Sequence, residues 1–514
     1  MQTKKAMYNF ITAFIPWIIL AVLGFIKLKF FIDIFGSELN GLVQLVSQIY
    51  AYLAMAELGF ASAISFKLYK PLAENDREKV SELFNGAQKL FKKVGLFIFI
   101  GGIIASVILP LVLPNSTISW QYIMAVTFLY SIDYFTDYVF AVPYRLLLTA
   151  DQKMYKINIV TNIKNVVFKS LELTLIIMGF DLLIIIILGI TMNIISNMIL
   201  IKMIKKEYQW INKKAKPDTS AKYMSKDILI HKISNIVTDR TASIVISIVL
   251  GLVTNSIYGA YNYIMTYIHQ MITLLLHAPK DAFGHLFSND KISIEEKYNT
   301  YMEYLIGTYF ICTIILIPFI ISANSFVVLW LGIEYKVSFV TVVLFAAVLG
   351  NNIIIKPVHV AMSTKGLFKE TKKYALLQAT LSLTLSIILV FKFGIPGVLI
   401  ASAVTTFIII IPFEMKIIYE KIFDRGIKDF LRLNMAVLVL IVTTVCSFRF
   451  LNQVYNFYSP STIINWFLTT GIITLIIVLL VYLIFYSSSN NFKRLQKRLL
   501  KNLKIKFKKS GVAV

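Results

Sequence analysis

Residues 234–253 read SNIVTDRTASIVISIVLGLV, a stretch fit for lipid except that Asp239 and Arg240 stand side by side within it. Each full charge costs about 2.5–3.5 kcal/mol at the middle of a bilayer, even on the gentler insertion scales. Two such charges in one span call for a hydrated recess or a partner on another helix. What kind of chain keeps them there is decided by the sequence on either side.

Hydrophobic residues make up 58% of the 514, and only 15% are charged, against about 25% charged in an ordinary soluble domain. Apolar runs of about 20 residues, the length of a helix that crosses the hydrocarbon core, recur along the whole chain. They predict an all-α polytopic membrane protein with about 14 transmembrane helices, at 8–32, 42–66, 89–113, 119–140, 157–180, 182–204, 233–252, 257–279, 301–323, 337–358, 374–393, 395–418, 433–451 and 462–487. The first follows MQTKK with no small-residue cleavage site, so it reads as a retained span. Cys312 and Cys446 both fall in apolar stretches, and the five histidines show no metal-ligand spacing. No phosphate-binding G-x-x-x-x-G-K-[ST] loop occurs, so the chain is not expected to burn ATP itself and no cofactor is expected.

Charge sets the orientation. Alternate loops hold 44 of the 51 Lys and Arg, and the opposite side holds five. By the positive-inside rule both termini are expected in the cytosol. The net charge of +24 is thereby explained as an orientation signal, with no support for a nucleic-acid partner. The tail FKRLQKRLLKNLKIKFKK (492–509) reads as a basic amphipathic segment for the anionic inner leaflet. The outer loops run to about a dozen residues at most, too short to house an enzyme.

An internal repeat divides the spans. Asn75-Asp76 returns as Asn289-Asp290, Pro143 as Pro357 and Trp120 as Trp330, all at nearly one interval. A shift of six spans preserves orientation and predicts two pseudo-symmetric six-helix bundles, with substrate handled between them. The expected organisation is a bundle over 1–208, a polar cytosolic linker over 209–231 and a second bundle over 232–420. Two further helices and the basic tail occupy 421–514.

Helical spacing sorts the remaining charges. Asp133 and Asp137 are four apart and share a face, and Lys169 and Glu172 at three apart read as a local ion pair. Lys27 and Lys29 sit near an outer helix end, where long side chains can snorkel. Glu57 falls near the middle of its span, and Asp239 and Arg240 have no partner three or four residues away. These three point to a water-filled cavity. Cations there (Arg240, Lys27, Lys29, Lys169) suit an anionic substrate. Carboxylates (Glu57, Asp239, Asp133, Asp137) suit a coupling ion held in one state and released in the other.

The segments ELGFASAISFKLYKPLAENDREKVSELF (57–84), YRLLLTADQKMY (144–155) and KISNIVTDRTASIVISIVLGLVTNSIYGAYNYI (232–264) resemble the oligosaccharide-repeat flippase (Wzx-type polysaccharide biosynthesis) family. That family belongs to the MOP superfamily, with the multidrug-and-toxin extruders (MATE) and the lipid II flippases. The resemblance implies alternating access in the bacterial plasma membrane and an undecaprenyl-diphosphate-linked oligosaccharide as substrate. Units so exported would feed capsule, O-antigen or another surface polysaccharide, and polymerase or assembly proteins would be natural partners. Asp239 matches the aspartate of the family's T-D pattern, whereas Arg240 stands where a polar uncharged residue is expected. A MATE-type cation antiporter and a lipid II flippase are the near alternatives. A membrane polymerase or glycosyltransferase would need acid–base groups in a sizeable loop, which this chain lacks.

Overall fold

The computed structural model describes residues 2–57, 59–220, 226–277, 279–498 and 500. These residues form an all-α membrane protein. The helices are α1 (Gln2–Leu53), α2 (Phe60–Ala73), α3 (Arg77–Val112), α4 (Trp120–Thr136), α5 (Val142–Ala150), α6 (Met154–Ile177), α7 (Leu182–Glu207), α8 (Lys226–Leu250) and α9 (Leu252–His277). They continue as α10 (Lys280–Ser288), α11 (Ile294–Leu331), α12 (Phe339–Lys365), α13 (Phe368–Phe393), α14 (Ile395–Thr405), α15 (Ile411–Phe423), α16 (Lys428–Tyr455) and α17 (Ile463–Ser488).

All fourteen apolar runs coincide with helix, and nine described segments are long and apolar enough by themselves to cross a membrane. The others are broken, carry charge or, as in α9, are interspersed with Asn, Gln, His and Tyr. Two runs, 8–32 and 42–66, share α1, which breaks at Gly36, a left-handed position (φ 83°) that an L side chain adopts only with strain. The second of these runs is interrupted again at its middle. A 3-10 turn spans Ala54–Glu57, and α2 starts only after Gly59. Glu57 therefore stands at a helix break where the sequence alone predicts continuous helix.

The chain divides into two compact units, Met1–Gly259 and Ala260–Val514, the division falling within α9. In the first unit α3 packs on α4 and α1 on α6 and α8. Helices in lipid gain little from apolar burial against one another, so close approach through small residues does the packing. A Cβ on Gly102 would lie 2.4 Å from the Tyr50 hydroxyl and 2.6 Å from Ser131 Cβ, so α1 and α4 can close on α3 only over a glycine. Leu96, Ile100, Ile104, Val107 and Leu111 stay exposed on α3, an apolar surface suited to acyl chains.

The polar stretch after α7 is fastened to this unit. Asn85 donates to the carbonyls of Asn212 (3.0 Å) and Ala215 (2.9 Å), and the Asp218 amide donates to the Glu82 carbonyl (2.9 Å). Asp218 pairs with Lys79 at 3.0 Å. Gly86 leaves room for the Asp218 carbonyl, which a Cβ would meet at 1.9 Å.

The second unit has an aromatic interior. Tyr298, Tyr301, Tyr419, Phe283, Phe287 and Phe423 pack ring on ring between α10, α11 and α15. The start of the basic tail folds onto α11: Phe492 packs on Phe310 and Phe485, and Arg498 pairs with Glu303 at 3.3 Å. Of the expected leaflet-binding tail, residues 501–509 lie outside the described residues.

Candidate functional site

The carboxylates of α4 lie in a network of charged and amide groups inside the first unit. Asp133 and Asp137 face Asn193 and Asn197, a second pair four residues apart on α7. Asn193 donates to Asp133 Oδ1 at 2.5 Å and Asn197 to Asp137 Oδ1 at 3.2 Å. A π-helical turn over Asp137–Ala141 widens the helix where the second carboxylate sits, a feature common at functional sites.

Two cations complete the network. Arg145 on α5 grips Asp137 with both terminal nitrogens, Nη1–Oδ2 3.0 Å and Nη2–Oδ1 2.5 Å, and Nη2 also reaches Asn197 Oδ1 at 2.9 Å. Lys164 on α6 donates to Asn193 Oδ1 at 2.7 Å. Such bidentate, charge-assisted bonds are the strong ones. The Nε of Arg145 is buried and has no hydrogen-bond partner among the described residues.

Neither cation was singled out by the sequence reading, which counted both among the charges of a cytosolic loop over 141–164. A signal for this site did exist. Asn193 and Asn197 repeat the spacing of Asp133 and Asp137, and Arg145 lies eight residues beyond Asp137.

The other sequence-predicted residues separate. Lys27 turns inward to Glu172 on α6 at 2.6 Å. This displaces the expected Lys169–Glu172 pair: Glu172 meets a cation from the neighbouring helix, while Lys169 holds no ion pair among the described residues. Lys29, two residues from Lys27, pairs at the surface with Asp33 at 2.8 Å. Lys27 and Lys169 lie in one electrostatic neighbourhood with Glu172. Lys29 does not join it.

Arg240 and Asp239 are exposed on α8. Arg240 Nη1 donates to Gln48 Oε1 on α1 at 3.1 Å, and one helical turn along α1 the Tyr52 hydroxyl lies 2.6 Å from Thr241 Oγ1. Asp239 acts electrostatically on Tyr52 and Tyr258. Glu57, at the helix break, comes within hydrogen-bonding reach of the Tyr138 hydroxyl. Tyr138 continues a stack of phenol rings through Tyr134 (6.5 Å) to Tyr50 (5.0 Å). Beside Tyr52, an apolar cleft of about 530 Å³ is lined by Ile49, Leu53, Ala56, Phe97 and Ile244.

The loop A-D-Q-K-x-Y, part of the family resemblance, is a clamp. Lys153 pairs with Asp151 at 2.6 Å and Glu207 at 2.7 Å, Lys156 pairs with Glu207 at 2.5 Å, and the Tyr208 hydroxyl donates to Asp151. It ties the α5–α6 turn to the end of α7.

Solved transporters share this architecture. The lipid II flippase MurJ in its inward closed conformation aligns with a TM-score of 0.62 over 94% of this chain and 99% of its own, at 14% identity. The chain has the fold of MOP-superfamily transporters. An inward-facing multidrug resistance MATE transporter of the MOP superfamily aligns with a TM-score of 0.50 over 76% of this chain and 92% of its own, at 12% identity. No family model matches the sequence, and no curated protein does. The likeness to MOP transporters is therefore one of fold.

Proposed function

We propose that this protein is a flippase. It moves an undecaprenyl-diphosphate-linked oligosaccharide repeat unit from the inner to the outer leaflet of a bacterial plasma membrane, by alternating access and at the expense of a proton or sodium gradient. Both termini face the cytosol. The bundles over 1–208 and 232–420 are the moving parts. The reading rests above all on the charged interior of the first unit, where Arg145, Lys164 and Lys27 meet Asp137, Asn193 and Glu172. Cations lower the cost of bringing a diphosphate into low dielectric, and the carboxylates balance them when no substrate is bound. Arg240, which reaches Gln48 through a neutral contact, is the cation we assign to the diphosphate. Stacked tyrosines beside Glu57 would give sugar rings an apolar face and hydroxyl partners.

A flippase of lipid II is the second reading, favoured by the share of the chain that the MurJ fold spans. Deleting the gene and sorting lipid-linked intermediates by leaflet separates the readings. Completed repeat units accumulating toward the cytosol support the proposal. Accumulation of lipid II with normal surface glycan supports the second reading, and a failure to elongate the unit supports an enzyme. In the complemented strain, Asp239→Asn and Glu57→Gln should each lower export about tenfold or more, within the range of coupling free energies between sites, with membrane insertion unchanged. Normal export from both would leave them structural.

A further inference from the structure

In the second unit one carboxyl group is buried without the partners that a charge needs. Glu414 on α15 is 1% exposed, and its Oε2 accepts no hydrogen bond among the described residues. Among the described residues, the basic group within ion-pair distance is His359 of α12, whose Nε2 stands 3.9 Å from that oxygen. The gap is too long for a hydrogen bond. The His359 side chain is itself 31% exposed, so it joins the buried carboxyl to open surface.

The elements around α15 offer little else. From α13, Tyr374 stacks flat on Phe413, and the Lys373 ammonium lies 4.8 Å from the centre of the Tyr374 ring. From α11, Tyr301 donates to Met415 Sδ at 3.7 Å and Tyr298 packs edge-on to Tyr419. Lys416 on α15 is engaged with Glu420 at the surface, and Arg425, past its end, with Glu295. An ionised carboxylate in such surroundings is costly, whereas a protonated one is tolerable.

We propose that Glu414 and His359 form a proton-binding site of the second unit, with Glu414 holding the proton and His359 exchanging it with water. In uptake, the Nε2–H bond of the imidazolium breaks and an O–H bond forms at Glu414 Oε2, leaving neutral imidazole, which takes its next proton from water. Release runs the same transfer backwards. Transfer needs the two groups to close by about an ångström. Both helices have a place to give: Pro357 lies two residues before His359 within α12, and a π-helical turn at Thr406–Ile410 leads into α15. Use of this proton to drive export rests on the flippase reading, but its binding does not.

The full-length protein in vesicles, followed by infrared spectroscopy, tests the binding directly. Wild type should show the carbonyl stretch of a protonated carboxyl at neutral pH, and Glu414→Gln should lose it. In His359→Asn the band should remain but exchange with deuterated water at least tenfold more slowly. Absence of the band from wild type, its persistence in Glu414→Gln, or wild-type exchange in His359→Asn overturns the proposal. Loss of the band on adding sodium at constant pH would mean a cation site and would overturn it too. Should the Gln variant fail to assemble, Glu414→Asp carries the assignment: a shifted band supports it and an unshifted band refutes it. Export measured on the same variants bears on the flippase reading alone.

Discussion

The two units satisfy their buried polar groups by opposite means. In the first, full charges are paired across helices: Arg145 with Asp137, Lys27 with Glu172 and Lys164 through Asn193 to Asp133. In the second, several interior hydroxyls find neutral acceptors, although Tyr298 donates to Asp429. Tyr309 donates to Asn434 Oδ1 at 2.5 Å, Tyr261 to Asn324 and to the Tyr335 carbonyl, and Tyr419 to the Met302 thioether. Neutral pairing of this kind suits a rigid frame. Ion pairs are a poor choice for stability alone, because an apolar replacement of similar volume is often as stable. The inter-helix ion pairs inside the first unit are therefore better explained by work with charged ligands than by the need to fold.

The sharpest way to break this contrast is to remove one charge from the first unit. Arg145→Leu leaves Asp137 with Asn197 as its remaining partner and should cost about 2–4 kcal/mol, below the penalty for orphaning a fully buried charge because both side chains are half-buried. Thermal unfolding in detergent reads the loss. Adding Asp137→Leu should recover most of it, since the double variant buries no lone charge. Losses that simply add would mean that the pair is solvated and independent, and the first unit would then differ from the second in composition alone.

The fold was legible because hydropathy reports helix length, and every span falls on helix, although the second is interrupted at Ala54–Glu57. The repeat also has a structural echo. Asp76 caps α3, and Asn289-Asp290 lies in the turn that leads into α11, so both pairs precede long helices, of 36 and 38 residues. The site was less legible, for two physical reasons. Spacing along one helix identifies a shared face but cannot say which neighbour lies across from it. Glu172 thus reads as the partner of Lys169, where a local pair is worth only about 0.2–0.5 kcal/mol, although the packing of α1 on α6 supplies Lys27. The second reason is that counting Lys and Arg by loop treats every cation near a span end as an orientation signal. Arg145 and Lys164 fall in that zone, yet both turn toward carboxylates.

A smaller effect tests the second unit. Tyr309→Phe removes the hydroxyl that serves Asn434 and leaves a buried amide oxygen short of a donor. The expected cost is about 1–3 kcal/mol, the desolvation penalty of one neutral group, with no sensitivity to salt. A loss as large as that of Arg145→Leu would erase the distinction between an ion-paired and a neutral interior. A loss that salt deepened would place a charge where none is expected.

The smallest effect belongs to the segment fastened to the first unit outside its spans. Hydrogen bonds from Ser220, joined by the Lys79 ammonium, hold the Asp218 carboxyl down to about 2. Its ordinary value is about 3.9. A carboxyl depressed by folding adds stability that is complete above the unfolded value and fades as pH falls through the folded one. The attachment of 209–220 to α3 should therefore hold at neutral pH and loosen between about pH 4 and pH 2. Hydrogen exchange of the Asp218 amide, which bonds the Glu82 carbonyl, follows that change after correction for intrinsic rates. Because Asp218 lies near the surface the gain in protection is modest, but its sign is fixed: Asp218→Asn should flatten the pH dependence and leave the Arg145 result untouched. If the flattening came with a loss of the Arg145–Asp137 coupling, the segment would be part of the ionised interior rather than a strap on its outside.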